Sequence, residues 1–278
     1  MYADLHLHST YSDGTDSPEK LADLAEKNGV AVISITDHDT TAAYRLANGS
    51  LKNKNVRIIS GAEISTEINH QMIHVLGYFI DTESADLADF LHHMALEKTE
   101  STRLNFENAV SQGIFNYEWD NVTAKFPGLD RISGTCITAA MEADGYLVPG
   151  MTYSQLKGRY FWPQNPKYVS RCTVTAFEAI DVIKKAGGIS VLAHPFLFND
   201  DEMIIKLIRH GLNGIEVFHP AHGENERIKY GQIAKDNNLL ISGGTDWHGA
   251  NSREDITCFG MHGLPDDTYK ILNCASNE

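Results

Sequence analysis

At 278 residues, with 42% apolar and 22% charged residues, the chain can bury a sizeable core as one large domain or as a domain with an insertion. A net charge of −14, from 37 acidic against 23 basic residues, argues against duplex nucleic acid or an anionic membrane as a partner. No run approaches ~20 apolar residues, no basic-then-apolar leader opens the chain, and four dispersed cysteines form no CxxC pair. A cytoplasmic protein with reduced thiols and no obligate protein partner is the expectation.

In chain order, ADLHLHS (3–9) reads as a strand, with Leu5 and Leu7 on one face and Asp4, His6 and His8 on the other. A helix follows, with Ser17 as N-cap, Pro18 at its first position and Gly29 as its stop. VAVISITDHD (30–39) is a continuous apolar strand of the kind buried in parallel sheets. VRIISGAEIS (56–65) and MIHVLGYFI (72–80) are the next strands, and 84–112 and 134–144 read as helices. A capping box, Thr175 with Glu178, opens another helix. ISVLAHP (189–195), GIEVFHP (214–220) and LLISGGTDWHG (239–249) supply later strands, separated by helices around 200–210 and 224–237. This alternation predicts an α/β fold with a parallel sheet or barrel. Residues 100–170 break the rhythm and read as an inserted, mostly helical subdomain, leaving 1–99 and 171–278 as one discontinuous domain.

Six apolar runs end in or carry a potential metal ligand: His6 and His8, Asp37 and His38, Glu63, His74, His194, and Asp246 with His248. At the C-terminal ends of parallel strands such side chains converge on one face, which Asp13 reaches from the loop after the first strand. Imidazoles and carboxylates without thiolates suit Zn, Mn or Fe. A single strand histidine is more often a core residue with satisfied hydrogen bonds. Six recurrences at equivalent positions favour a site. Asp4, Asp37 and Asp39 are candidates to orient imidazoles, or are solvated or capping carboxylates.

DLHLHS, TDHD, GAE, MIHVLGYF, LAHP, IEVFHPAH and GGTDWH, in that order, resemble the PHP (polymerase and histidinol phosphatase) family over residues 4–248. The closest likeness is to stand-alone phosphoesterases with a helical insertion, which hydrolyse nucleoside 3′,5′-bisphosphates or trim short RNA from its 5′ end. The resemblance implies a distorted (β/α)7 TIM-like barrel with two to three divalent metal ions (Mn, Fe or Zn). It assigns His6, His8, Glu63 and Asp246 to one ion, and Glu63, His74 and His194 to a second. Asp13, His38 and His248 go to a third. Three divalent ions against three carboxylates would leave the site about +3 and attractive to phosphate. The expected chemistry is metal-assisted phosphoester hydrolysis by a hydroxide held between ions, resting on Glu63, Asp246, His194 and His219.

Substrate contacts fall on His219 and His222, and in the insertion on Arg131, Ser133, Gly134, Lys167 and Arg171, as groups for a second phosphate. The subgroup's histidine soon after that arginine and its basic residue before the PxYV segment are absent, where ISGTCI and QNPKYV stand. Phosphoester hydrolysis of a small phosphorylated nucleotide or short oligonucleotide is therefore the leading expectation. Histidinol-phosphate phosphatase, or another small-molecule phosphomonoesterase, is the alternative. A non-catalytic binding module is disfavoured by the full set of nine ligand types. An amidohydrolase is disfavoured because no lysine stands at these strand ends. Tyr160, Phe161 and Trp162 read as local core more than as a base-stacking platform. His70, His92, His93, His210 and His262 read as surface residues.

Overall fold

The structure is a computed structural model that describes residues 2–46, 51, 54–68, 71–162, 165, 167–250 and 259. The expected surface residues His70 and His262 lie outside these. Eight described strands form two sheets. In the first, β1 (Tyr2–Leu7), β2 (Val30–Ile35) and β3 (Arg57–Ile59) run parallel. In the second, β4 (Gly61–Ile68), β5 (Gln71–Tyr78), β6 (Ile189–Leu192), β7 (Gly214–Phe218) and β8 (Leu240–Gly243) follow one another in order.

The second sheet departs from the all-parallel expectation. β5 runs antiparallel to both β4 and β6, while β6, β7 and β8 are mutually parallel. The cause is local: only two residues separate β4 from β5, which is enough for a hairpin and far too few for a parallel crossover. Single parallel bridges, Leu7 with Trp247 and His38 with Glu63, link the two sheets. The architecture is α/β, and among the described residues it is two bridged sheets rather than one continuous closed barrel.

Helix formation follows the sequence signals. Ser17 accepts from the Lys20 N–H at the start of α1 (Pro18–Lys27), whose Leu21, Ala22 and Ala25 pack with Val30, Ile33 and Ile35 of β2. Each fully buried Leu or Ile there is worth roughly 1.5–3 kcal/mol. After the short α2 (Ala42–Leu46), the 27-residue α3 spans Ala85–Ser111. Further on come α4 (Trp119–Thr123), α5 (Gly134–Ala143), α6 (Tyr153–Leu156) and a π-helical turn, Lys157–Phe161. The capping box of Thr175 and Glu178 opens α7 (Ala176–Lys185), and α8 (Asp201–His210) and α9 (Glu224–Asp236) complete the set.

The chain divides into two compact units, residues 1–90 with 174–278, and residues 91–173. The division falls inside α3, where a continuous helix gives the composition no break at the boundary. The second unit has its own core, including Phe106, Phe115, Tyr117, Ile137, Met141, Leu156 and Phe161. Of the aromatic trio at its end, Phe161 is buried in this core and Tyr160 packs against it, while Trp162 is 44% exposed.

Candidate metal centre

The first sheet delivers histidines because β1 is buried on both faces, so the face carrying Asp4 and His6 is as dry as the face carrying Leu5. Gly244, just past β8, permits this approach: a Cβ there would come within 2.4 Å of the His6 backbone nitrogen. Two cluster residues, His194 and Asp246, have left-handed backbones at φ 26° and 51°. Non-glycine residues hold such conformations only where their surroundings over-determine them, and they concentrate at functional sites.

Glu63, fully buried on β4, is the hub. Its Oε1 lies 2.7 Å from His74 Nδ1 and 2.9 Å from His194 Nε2. Its Oε2 lies 3.3 Å from His6 Nε2, 3.2 Å from His8 Nε2 and 3.1 Å from His38 Nδ1. Asp246 Oδ1 stands 3.1 Å from His8 Nε2 and 3.5 Å from His6 Nε2. Asp13 Oδ1 stands 3.2 Å from His248 Nε2 and 3.9 Å from both His8 Nδ1 and His38 Nε2.

Ligand atoms within 4.8 Å of one another fall into three overlapping groups: His6, His8, Glu63 and Asp246; His38, Glu63 and His74; and His8, Asp13, His38 and His248. All nine side chains singled out in the sequence thus meet in one cluster. The groups differ from the expected partition in three respects. His8 joins Asp13, His38 and His248, and His38 shares Glu63 with His74. His194 touches Glu63 Oε1 but belongs to none of the three groups. His74 sits mid-strand on antiparallel β5, opposite Ser65, not at a strand end.

The donors fit divalent ions. His6 Nε2, both ring nitrogens of His8, Asp13 Oδ1 and Glu63 Oε2 are buried and make no hydrogen bond, although oppositely charged or polarised atoms lie close by. Buried polar atoms left in this state are costly unless something binds them. The far side of several rings is already fixed. His6 Nδ1–H donates to Glu216 Oε1 at 3.0 Å, and His248 Nδ1–H donates to the Asp246 carbonyl at 2.8 Å. Each of these bonds selects the tautomer whose Nε2 lone pair faces the cluster.

Electrostatics follow from burial and crowding. Desolvation disfavours a charged His6, yet Glu216, Glu63 and Asp246 together raise it well above the usual imidazole range. His8 rises to about 9 for a similar reason, with Asp246 and Glu63 overcoming burial. Despite burial, the surrounding imidazoles hold the Glu63 carboxyl well below its ordinary range.

Glu216 is the residue that sequence reasoning passed over. It is fully buried on β7, and its two oxygens take the His6 Nδ1–H and, at 2.7 Å, the His194 backbone N–H. Burial opposes its charge, but His6 keeps its carboxyl below the usual range. A carboxylate inside the apolar run GIEVF was the available signal. Conversely, among the described residues the side-chain hydrogen bonds of Asp4 and Asp37 go chiefly to loop residues. Asp4, raised to about 6 by burial, takes the Thr245 N–H and Oγ1–H at 2.9 and 2.7 Å, tying β1 to the loop after β8. Asp37 gathers Ser9 and Ser12, and Asp39 accepts the Ser65 N–H.

His219 and His222 adjoin the cluster. The Ala221 N–H donates to His219 Nδ1 at 3.0 Å, so the neutral ring carries its proton on Nε2, 3.4 Å from Asp246 Oδ2. His222 donates Nδ1–H to the Val217 carbonyl at 3.0 Å. Its buried Nε2 makes no hydrogen bond, and burial lowers its pKa.

The remaining candidates belong to the second unit. Arg131 is half-buried, and Ser133 caps α5 with no side-chain cap bond, its hydroxyl lying instead 3.6 Å from Cys136 Sγ. Gly134 is required by packing, since a Cβ there would stand 2.5 Å from Phe161 Cβ. Lys167 is exposed and lines a cavity of about 240 Å³ with Arg159, Tyr160 and Tyr168, and Arg171 is exposed.

Residues 4–168 match the PHP domain model. The chain belongs to the PHP domain family. Phosphoribosyl 1,2-cyclic phosphate 1,2-diphosphodiesterase of Eggerthella lenta is 32% identical over 263 residues, 91% of this chain and 96% of that protein. The 3′,5′-nucleoside bisphosphate phosphatase of Chromobacterium violaceum is 27% identical over 253 residues, 88% of this chain and 86% of that one. A solved Bifidobacterium adolescentis protein named as a metal-dependent phosphoesterase superposes with a TM-score of 0.83 at 28% identity, covering 98% of this chain and 95% of that one. This PHP protein is accordingly a hydrolase of phosphoric ester bonds. Among its described residues, no helix is long and apolar enough to cross a membrane.

Proposed function

We propose that this PHP phosphoesterase uses two to three divalent ions, Mn, Fe or Zn, to hydrolyse a phosphate ester on a phosphorylated ribose. The leading substrates are nucleoside 3′,5′-bisphosphates and short 5′-phosphorylated oligonucleotides. The observation that carries the reading is Glu63, whose two oxygens face separate sets of imidazoles, an arrangement suited to a carboxylate shared between ions. His6, His8 and Asp246 would hold one ion with Glu63, and His74 and His194 would take its other oxygen. Asp13, His38 and His248 would hold a third.

Bound there, such ions supply Lewis-acid polarisation of phosphoryl oxygens and a water of lowered pKa. The chain's own residues position and restrain. Glu216 locks His6 and the backbone at His194, while His219 Nε2–H restrains Asp246. His222 offers a buried Nε2 lone pair that can receive a hydroxyl proton from substrate. Arg131, Ser133, Gly134, Lys167 and Arg171 stay as proposals for a further phosphate, on the strength of the motifs in which they occur. The proposal extends to a distorted (β/α)7 barrel with an inserted helical subdomain, and to a cytoplasmic location.

A second reading has its own support. The Eggerthella lenta relative, whose name specifies a ribose bearing a phosphate and a cyclic phosphodiester, aligns over 96% of its length. Both readings share a ribose with two phosphate groups. A phosphate-release screen with Mn²⁺ would compare adenosine 3′,5′-bisphosphate, adenosine 5′-monophosphate, ribose 1,2-cyclic phosphate 5-phosphate and histidinol phosphate. The expected preference is for the doubly phosphorylated riboses. Preference for histidinol phosphate, or no turnover of any of the four, would overturn the proposal.

A further inference from the structure

The turn that follows His194 sorts its apolar residues unevenly. Pro195 and Phe198 are buried, whereas Phe196 and Leu197 are left 42% and 58% exposed. Phe196 is the one exposed phenylalanine among the described residues. It lies in a one-turn 3-10 helix, Pro195–Leu197, capped by His194 with its φ of 26°. A lone exposed aromatic is ordinary on a protein surface, so the meaning lies in its position.

Phe196 ends a file of rings that begins at the metal cluster, all of it within residues 1–90 and 174–278. His219 Nε2 lies 3.4 Å from Asp246 Oδ2, and its ring centroid is 5.5 Å from that of His194. The His222 ring follows at 5.4 Å from His219, and the Phe196 ring at 6.4 Å from His222. The Phe196 and His222 planes are 78° apart, so these two rings do not stack face to face. His222 is held from behind: its Nδ1–H donates to the Val217 carbonyl, and its ring lies 5.1 Å from that of Tyr230 on α9. Its buried Nε2 makes no hydrogen bond, a polar atom that still calls for a partner. The order is therefore cation-binding cluster, polar ring, exposed aromatic ring. A nucleotide presents the complementary order of phosphate, sugar hydroxyl and flat base.

We propose that Phe196 is a specificity-determining residue that stacks the nucleobase of a substrate whose phosphate lies at the metal cluster. This rests on the phosphoester reading above and decides between its two branches, selecting a base-bearing nucleoside bisphosphate over a base-free phosphorylated ribose. Stacking suits the place, because every base offers a flat π-face and an exposed phenylalanine gives up only water to meet one. The ring supplies contact area and no charge. It therefore acts on binding of the base and leaves the reacting phosphate to the cluster.

The test uses full-length, Mn²⁺-loaded wild type, Phe196→Ala and Phe196→Trp. The two substrates are adenosine 3′,5′-bisphosphate and 1-deoxyribofuranose 3,5-bisphosphate, the same molecule with hydrogen in place of the base. Wild type should show the lower KM for the adenosine compound. Phe196→Ala should raise that KM about 10–100-fold with less change in kcat, as expected for the loss of one base–aromatic stack. The base-free substrate should lose far less. Phe196→Trp should restore the low KM, and its fluorescence should be quenched by the adenosine compound beyond any quench in wild type, and not by the base-free one. Neither variant should melt below wild type, because the ring is exposed. The proposal is overturned if Phe196→Ala affects both substrates alike or neither, or if wild type prefers the base-free one. If wild type hydrolyses neither while the base-dependent quench persists, the phosphoester reading fails and the base platform stands. Absence of both turnover and quench overturns both.

Discussion

The metal cluster and the core of the inserted unit are built on opposite principles. In the cluster, six histidines and carboxylates, among them His6, His8, Glu63 and Asp246, are buried where ordinary folding would place leucine. In the inserted unit, Phe106, Phe115, Ile137, Met141 and Phe161 do what buried residues usually do. An apolar core stabilises through area removed from water, and each of its members is individually replaceable at a finite cost. A cluster of ligands stabilises nothing by burial alone. It stores unmet electrostatic demand, which a bound cation converts into folding and binding free energy.

Chelation should expose that contrast most strongly. Stripping divalent ions should abolish phosphate release and lower the melting temperature. At metal concentrations 100-fold above Kd, the lost stabilisation is about 2.7 kcal/mol per site. The metal-free protein should also titrate. His8 has a folded pKa raised to about 9 from 6.5, so its protonation stabilises the fold fully below pH 6.5. That contribution is lost as pH rises from 6.5 through 9. Metal affinity should move the other way across the same window, because ions compete with those protons. Urea melts of metal-free protein at pH 6.5 and 9 check the first trend, and proton release on Mn²⁺ titration checks the second. A metal-free protein more stable at pH 9 than at 6.5 would contradict it.

Replacing the hub comes next. Glu63→Gln keeps shape but removes the charge facing five imidazoles, and phosphate release should fall by roughly 10³-fold or more. Metal analysis should show fewer than the wild-type number of ions per chain. Near-normal turnover would remove Glu63 from its shared-ligand role.

One layer out, Glu216→Gln should cost about 10–100-fold in metal affinity or activity, by loosening the tautomer and orientation of His6. An unchanged affinity would mean that packing alone holds the ring. In the apolar region, Phe161→Ala should destabilise by about 3–5 kcal/mol through the cavity it leaves. Metal content per folded chain should be unchanged, because no cluster ligand belongs to residues 91–173. Loss of metal in that variant would show the two regions to be less independent than their construction suggests.

The histidines were legible because an imidazole interrupting an apolar run is conspicuous, and six such interruptions ask for a common explanation. Glu216 follows the same pattern but was hidden, since its value lies in meeting His6, 210 residues earlier in the chain. Asp4 and Asp37 show the other role weighed for them: they take backbone and hydroxyl groups of loop residues, partners that adjacency to a histidine does not reveal.

The sequence by itself determined the element types, the caps at Ser17 and Thr175, the ligand chemistry and the family. These depend on local propensity, periodicity and residue identity, which need no partner to be read. Tertiary structure alone decided the sharing of His8 and His38 between ligand groups and the grip of Glu216 on His6 and the His194 backbone. Each of these is a relation between residues far apart in the chain, fixed by distance and burial that no local pattern encodes.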